Sequence, residues 1–140
     1  MKPVEFLGDS LDALRSFPRS ARREAGFQLD KVQRGFDPDH WKPIAMSRKR
    51  FESIWDAIED TAQEAEAMRA RADLMLRLQE RLRKQKLSQS EAAKLLKVTQ
   101  PRISDLMRGR IDLFSTDMLI ELLGRLGARV KVSVEFRRAA

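Results

Sequence analysis

The sequence predicts a mainly helical fold: a five-helix bundle that ends in a β-strand and follows a short strand–helix–helix fragment. Three observations support this prediction. Apolar residues recur every three or four positions through most of the chain after residue 48. Residues 88–106 have the pattern of two short helices joined by a tight turn, and residues 129–136 alternate apolar and polar side chains as a half-buried strand does.

Residues 1–45 are predicted to form the N-terminal fragment. Residues 3–7 have a strand-like composition, and Asp9 or Ser10 could cap a brief helix after them. Pro18 is suited to opening a second helix, because a missing N–H does no harm in a first turn. The apolar residues expected on the core side of this second helix share a helical spacing: Ala21, Ala25, Leu29, Val32 and Phe36.

The stretch DPDHWKP, residues 37–43, is predicted to be an irregular linker because it holds two of the chain's five prolines. Asp37 and Asp39 flank one of these prolines and are typical of turn residues. His40 is the only histidine and lies in this proline-flanked stretch, so we expect neither a histidine metal cluster nor a Ser–His–Asp triad. The chain also lacks cysteine and a glycine-rich phosphate loop. We therefore expect no catalytic residue, no metal and no cofactor.

Residues 46–140 are predicted to form the second domain. A helix over residues 48–60 would place four apolar residues on one face: Phe51, Ile54, Trp55 and Ile58. A long helix over residues 61–85 would bury another stripe: Met68, Ala72, Met75, Leu78 and Leu82. Ser115 is expected to cap the last helix of the bundle.

Residues 88–106 carry the most specific local pattern. Ser88 and Glu91 have the spacing of a capping box, and Thr99 can cap the next helix. The apolar residues expected to join the two helices recur at helical spacing: Ala92, Ala93, Leu95, Leu96, Val98, Ile103, Leu106 and Met107. This pattern predicts a helix-turn-helix in which residues 100–108 are the recognition helix.

The positive charge of the chain is concentrated in this region. Nine basic and two acidic residues lie between Arg81 and Arg110, so this segment carries the whole net charge of +7. A face that is merely solvated would have interspersed acidic residues. A basic patch on a helix-turn-helix predicts binding to a polyanion such as DNA.

Residues 69–127 resemble the XRE-type, lambda-repressor-like helix-turn-helix domain. The matching residues are Gln89, Glu91, Ala93, Thr99, Gln100, Ile103, Leu106 and Gly109. The wider stretch 46–136, with RISDLMRGRIDLFSTDMLIELLGRLG, resembles HigA-type antitoxins, which implies autoregulation of a toxin–antitoxin operon. Lys97 departs from the pattern, since many relatives have glycine in a left-handed turn there. A lysine would cost roughly 1 kcal/mol in that conformation, so we expect an adjusted turn.

Residues 1–45 resemble the opening of a HigB-type toxin of the RelE-like ribonuclease superfamily. In that family a β-sheet follows and carries the catalytic basic and aromatic residues, but no such sheet is encoded here, so no catalytic residue can be assigned. Met46 resembles the start of an antitoxin, which suggests an in-frame joining of a truncated toxin to its antitoxin. Removal of residues 1–45 is therefore expected to leave DNA binding largely intact.

The recognition helix supplies the expected contacts to bases. Gln100 can pair with adenine, and Arg102 with guanine. Ser104 can reach a base edge or the backbone, whereas Asp105 can accept from cytosine or hold Arg102. The expected contacts to the DNA backbone are Gln89, Lys97, Thr99, Arg108 and Arg110.

The strand over residues 129–136 needs a partner, because a lone strand leaves its N–H and C=O groups unpaired. The favoured partner is the same strand of a second chain, and the alternative is residues 3–7. The residues expected in the dimer contact alternate along the strand: Val130, Val132, Val134 and Phe136.

The leading functional prediction is a sequence-specific DNA-binding repressor of the antitoxin type that works as a homodimer. The alternative is a protein that neutralises a RelE- or HigB-like toxin and binds DNA weakly, and a residual RelE-like ribonuclease is the least favoured. The sequence contains neither a membrane-length apolar run nor a signal peptide, so we expect a soluble cytoplasmic protein.

Overall fold

The N-terminal part of the chain forms a strand followed by two helices, as predicted. In the computed structural model, which describes residues 2–36 and 49–136, strand β1 spans Val4–Phe6, helix α1 spans Ser10–Arg15 and helix α2 spans Arg19–Gln33. The predicted linker, with its turn aspartates and its histidine, lies outside the described residues. The predicted start of the second domain lies outside them as well.

The prediction of one helix over residues 48–60 is wrong. Lys49–Phe51 forms strand β2, and helix α3 covers only Ile54–Ile58. β2 pairs antiparallel with β1, and Val4 lies opposite Phe51. The strand prevails over the helix because this pairing satisfies backbone groups of β1 that would otherwise form a free edge.

The predicted five-helix bundle is confirmed and consists of α3 followed by four further α-helices. Helix α4 spans Ala62–Lys84, α5 spans Gln89–Leu96 and α6 spans Gln100–Met107. A 3-10 helix at Ile111–Leu113 then leads into α7, which spans Thr116–Arg125. Among the residues described, no helix is long and apolar enough to cross a membrane.

The long helix α4 runs through the middle of the core. All five residues of its predicted stripe are buried: Met68, Ala72, Met75, Leu78 and Leu82. Its N-terminus begins after Thr61, whose side chain accepts a hydrogen bond from the Glu64 N–H at 3.1 Å. α4 packs against α3 and α7, and it also contacts α2 and α6. It is therefore the element on which the other helices assemble.

The prediction for the core side of α2 is partly wrong. Leu29 is buried, but the other four predicted positions are only partly covered: Ala21, Ala25, Val32 and Phe36. Phe27 supplies the main buried ring of this helix instead. Five polar side chains of α2 are also buried: Arg23, Gln28, Asp30, Lys31 and Gln33. Since α2 lies between α3 and the 3-10 helix, its polar side chains meet partners on both.

Hydrogen bonds join the N-terminal segment, here residues 2–36, to α3. The indole N–H of Trp55 donates to Asp30 Oδ2 at 2.7 Å, and Trp55 has no exposed surface. Arg15 Nε donates to the Ala57 carbonyl at 2.7 Å. The N-terminal segment therefore covers part of the core of the second predicted domain.

The C-terminal tail, residues 129–136, forms no ladder with any other described part of this single chain. Val130 packs partly on the core, whereas Val132 is 78% exposed and Phe136 is 94% exposed. The alternative pairing of the tail with residues 3–7 is wrong within the chain, because the sheet that contains β1 consists of β1 and β2.

Candidate nucleic-acid interface

Helix α5 begins with the predicted capping box. Ser88 Oγ accepts from the Glu91 N–H at 3.1 Å, and the Glu91 carboxylate accepts from the Ser88 N–H at 3.4 Å. Three of its apolar residues are buried: Ala92, Ala93 and Leu96. The predicted burial of Leu95 is wrong, since its exposure is 43%. A helix turns by about 100° per residue, so the side that buries the other three residues leaves Leu95 at its edge.

The turn between α5 and α6 keeps the left-handed geometry despite its lysine. Lys97 has φ 57° and ψ 43°, so the expectation of an adjusted turn is wrong. Two hydrogen bonds hold this turn: the Val98 N–H donates to the Ala93 carbonyl at 3.0 Å, and Arg125 Nη1 donates to the Leu96 carbonyl at 2.7 Å. These contacts offset the strain of roughly 1 kcal/mol for a left-handed lysine.

Helix α6 is held to the core by its middle and by its last turn. Thr99 occupies the cap position, although its side chain makes no capping hydrogen bond. Ile103 and Leu106 are buried as predicted. At the last turn, the buried Gln79 of α4 donates from Nε2 to the Leu106 carbonyl at 2.7 Å. The sequence pattern does not reveal this contact of Gln79, because a glutamine in a long helix is usually solvated.

The predicted base-contacting residues lie on α6 but differ in their exposure. Gln100 is exposed at the start of the helix, whereas Ser104 and Asp105 are half-buried. Asp105 accepts from Arg110 Nη1 at 3.5 Å, and Arg102 donates to other groups, so the alternative in which Asp105 holds Arg102 does not form. Asp105 instead connects the recognition helix to the segment that follows it.

Arg102 is engaged inside the chain. Its guanidinium Cζ lies 4.1 Å from the ring centroid of Phe114, and its Nη2 donates to the Leu113 carbonyl at 2.5 Å and to Met118 Sδ at 2.9 Å. Its guanidinium therefore faces the 3-10 helix and the start of α7, which leaves Gln100 more accessible than Arg102 to a ligand at the outer face of α6.

The residues predicted to contact the DNA backbone are exposed, but not all are equally free. These exposed residues are Gln89, Lys97, Thr99, Arg108 and Arg110. Arg110 lies 3.4 Å from a carboxylate oxygen of Glu24 and 3.5 Å from one of Asp105. The neighbouring basic residues at the end of α4 and on α5 are exposed as well: Arg81, Arg83, Lys84, Lys86 and Lys94. The helix-turn-helix thus presents a strongly positive surface.

A largely buried ion cluster joins α2 to the end of α3 and to the 3-10 helix. Arg23 of α2 contacts Glu59 at 2.9 Å and Asp112 of the 3-10 helix at 2.7 Å. Burial opposes the charge of Arg23, but the hydrogen bonds to both carboxylates outweigh it, so the pKa of Arg23 is raised. Burial, followed by repulsion from Arg23, lowers the pKa of Arg71. Local sequence patterns do not reveal this cluster, because its members are up to 89 residues apart.

The described residues contain no cluster of acidic, histidine or cysteine side chains that could hold a metal ion. No curated protein matches the chain. A family model described as a helix-turn-helix domain matches residues 57–135, which is more than half of the chain and includes α4 to α7. The protein therefore belongs to this helix-turn-helix domain family.

Proposed function

We propose that this helix-turn-helix protein is a sequence-specific DNA-binding repressor of the antitoxin type, which regulates its own toxin–antitoxin operon as a homodimer. The observation that carries the proposal is the combination of a capped helix-turn-helix with a concentrated positive charge. α5 and α6 lie within the segment from Arg81 to Arg110 that carries the net charge of +7. Such a patch attracts the phosphate backbone without regard to sequence, and α6 supplies the sequence-reading side chains.

Base reading is assigned to the outer side of α6. The exposed amide of Gln100 is suited to adenine, which presents one acceptor and one donor in the major groove. Ser104 can donate to a neighbouring base edge or to a backbone oxygen, whereas the half-buried carboxylate of Asp105 can accept from the amino group of cytosine. Arg108 is exposed at the end of α6 and is suited to a phosphate.

The dimer is assigned to the C-terminal tail. Its apolar side chains at alternating positions are the most exposed large apolar groups of the described residues: Val132, Val134 and Phe136. Antiparallel pairing with the same tail of a second copy would bury these side chains and satisfy the tail's backbone groups. A symmetric dimer would also present two recognition helices to two half-sites.

The proposal is tested by a mobility shift with the DNA upstream of the protein's own reading frame, against random DNA of equal length. Replacing Gln100 by alanine should cost about 1–3 kcal/mol of binding free energy on the upstream DNA and little on random DNA. Gln63→Ala, at the exposed start of α4, is the matched control. Equal affinity of the wild-type protein for both DNAs would contradict sequence-specific binding.

A further inference from the structure

An ion pair connects the N-terminal segment to the 3-10 helix that follows the recognition helix. Arg23 is only 6% exposed, and its Nη1 donates to Asp112 of the 3-10 helix at 2.7 Å. Its Nε and Nη2 donate to the two carboxylate oxygens of Glu59 at 2.9 and 3.2 Å. Because Glu59 follows α3 and Asp112 lies in the 3-10 helix, one guanidinium fixes the distance between these two parts of the chain.

The same 3-10 helix holds a side chain of the recognition helix. The carbonyl of Leu113 accepts from Arg102 Nη2, and the ring of Phe114 stacks beneath the Arg102 guanidinium. Met118, in the first turn of α7, contacts the same nitrogen. A guanidinium that stacks on a buried ring and donates to a carbonyl has a fixed orientation, so Arg102 ties α6 to the 3-10 helix.

A second set of contacts joins α2 directly to the end of α6. Phe27 packs against Gly109, two residues after the last residue of α6. Glu24 lies one residue after Arg23 on α2 and pairs with Arg110 at 3.4 Å. The segment between α6 and the 3-10 helix is thus held by two side chains of α2, Glu24 and Phe27.

We propose that the N-terminal segment positions the recognition helix through a relay from Arg23 to Asp112, the 3-10 helix and Arg102. In this relay Arg102 is a positioning residue and does not read a base. Reading a guanine would require Arg102 to leave Phe114 and the Leu113 carbonyl, and that would uncouple α6 from the loop behind it. The relay itself is independent of the proposed function. Only the effect of the relay on DNA reading rests on the proposed function.

The first arm of the test uses the full chain without DNA. The Nε–Hε resonance of Arg102, assigned with the variant Arg102→Lys, should be shifted upfield by the ring of Phe114. In Asp112→Ala, which keeps the Arg23–Glu59 pair, this resonance should move toward the position of a free arginine. The matched control is Asp73→Ala, which removes the ion pair of Asp73 with Arg34, the residue after α2, at 2.6 Å and far from the 3-10 helix in sequence. Asp112→Asn is the second variant if Asp112→Ala does not fold.

The second arm measures DNA reading on a duplex that the wild-type protein selects from a random library. Asp112→Ala should lower the ratio of affinities for selected and random DNA by between about 2-fold and 30-fold, the range for couplings through packed side chains. Asp73→Ala should leave the ratio unchanged. In an Arg102→Ala background the loss caused by Asp112→Ala should disappear, because the relay ends at Arg102.

The two arms of the test contradict different parts of the proposal. An Arg102 resonance that stays in place in Asp112→Ala, or that moves equally in Asp73→Ala, would overturn the relay. A moved resonance with an unchanged affinity ratio would overturn its role in DNA reading. If the random library yields no selected duplex, the proposed function fails, while the first arm still decides the relay.

Discussion

The ring of Phe27 in α2 lies directly against Gly109, which follows the recognition helix. A methyl group built on Gly109 would come within 2.7 Å of Phe27 Cδ1 and 3.0 Å of Cε1, and Gly109 itself has φ +76°. Glycine is required here for two separate reasons, since its backbone is left-handed and its missing Cβ leaves room for the ring. Gly109 therefore ends α6 and also leaves room for Phe27 of the N-terminal segment.

We expect Gly109→Ala to lower the free energy of unfolding by roughly 2–4 kcal/mol, because left-handed strain and overpacking add. The matched control is Gly35→Ala, where φ is +88° but nothing lies within 4 Å of the new methyl group. This control should lose only the strain of about 1–2 kcal/mol. Urea denaturation measures both variants, and equal losses would show that the Phe27 contact adds nothing.

Gln33 is a second point at which the N-terminal segment is attached. Its Nε2 donates to the carbonyls of Lys2 and Glu52, and its Oε1 accepts from the buried Ile54 N–H at 2.8 Å. Gln33→Leu should cost about 1–3 kcal/mol of stability for the orphaned Ile54 N–H alone, as measured by urea denaturation. Gln63→Leu, on an exposed site, should be close to neutral, and a loss of the same size there would contradict this role.

The contacts of the N-terminal segment also change the expectation for its removal. The sequence alone predicts that a chain without residues 1–45 keeps DNA binding largely intact. That chain would expose Trp55 and leave the buried Glu59 without Arg23. Because an unpaired buried carboxylate and an uncovered indole both destabilise the fold, we now expect the truncated chain to lose stability.

The salt dependence of DNA binding can distinguish the contributions of Arg108 and Arg110 to phosphate contact. Arg108 is exposed, whereas Arg110 is balanced by Glu24 and Asp105. Arg108→Gln should therefore lower the slope of log K against log salt by about one unit, and Arg110→Gln by less. Arg22→Gln, in the N-terminal segment, should leave the slope unchanged. A larger change for Arg110→Gln than for Arg108→Gln would contradict this order.

Local sequence patterns were sufficient for most of the bundle. The capping box of Ser88 with Glu91, the stripe of α4 and the buried residues of α6 at three-residue spacing all depend on neighbours within one or two turns. Such interactions are encoded by spacing alone, because a helix brings positions three and four residues apart onto one face. The helix-turn-helix and the exposure of Gln100 could be predicted for the same reason.

Interactions between distant segments could not be predicted in this way. β2 forms because β1 offers it a partner, and a three-residue stretch does not reveal that partner. The burial of Arg23 depends on Glu59 and Asp112, and the stacking of Arg102 depends on Phe114. A charged side chain at helical spacing has the same local pattern whether it is solvated or buried in an ion cluster.

The last prediction concerns the C-terminal tail, whose proposed role is to join two copies of the protein. Val132 is 78% exposed in the single chain, so Val132→Asp should leave the helical fold of each chain intact. In a paired strand each such valine would contribute roughly 1.5–3 kcal/mol of burial, before the cost of association. An unpaired aspartate at that position should therefore convert the dimer into monomers.

Sedimentation velocity distinguishes these outcomes when circular dichroism shows equal helical content. Ser133→Asp is the matched control, because Ser133 follows Val132 and lies on the opposite face of an extended strand. The wild-type protein and Ser133→Asp should sediment as dimers, and Val132→Asp as a monomer that binds a two-half-site DNA far more weakly. A dimeric Val132→Asp, or a monomeric wild-type protein, would remove the tail from the proposed interface. Successive major grooves on one face of DNA require a spacing of about 34–36 Å between the two recognition helices. In that case another surface would have to set this spacing.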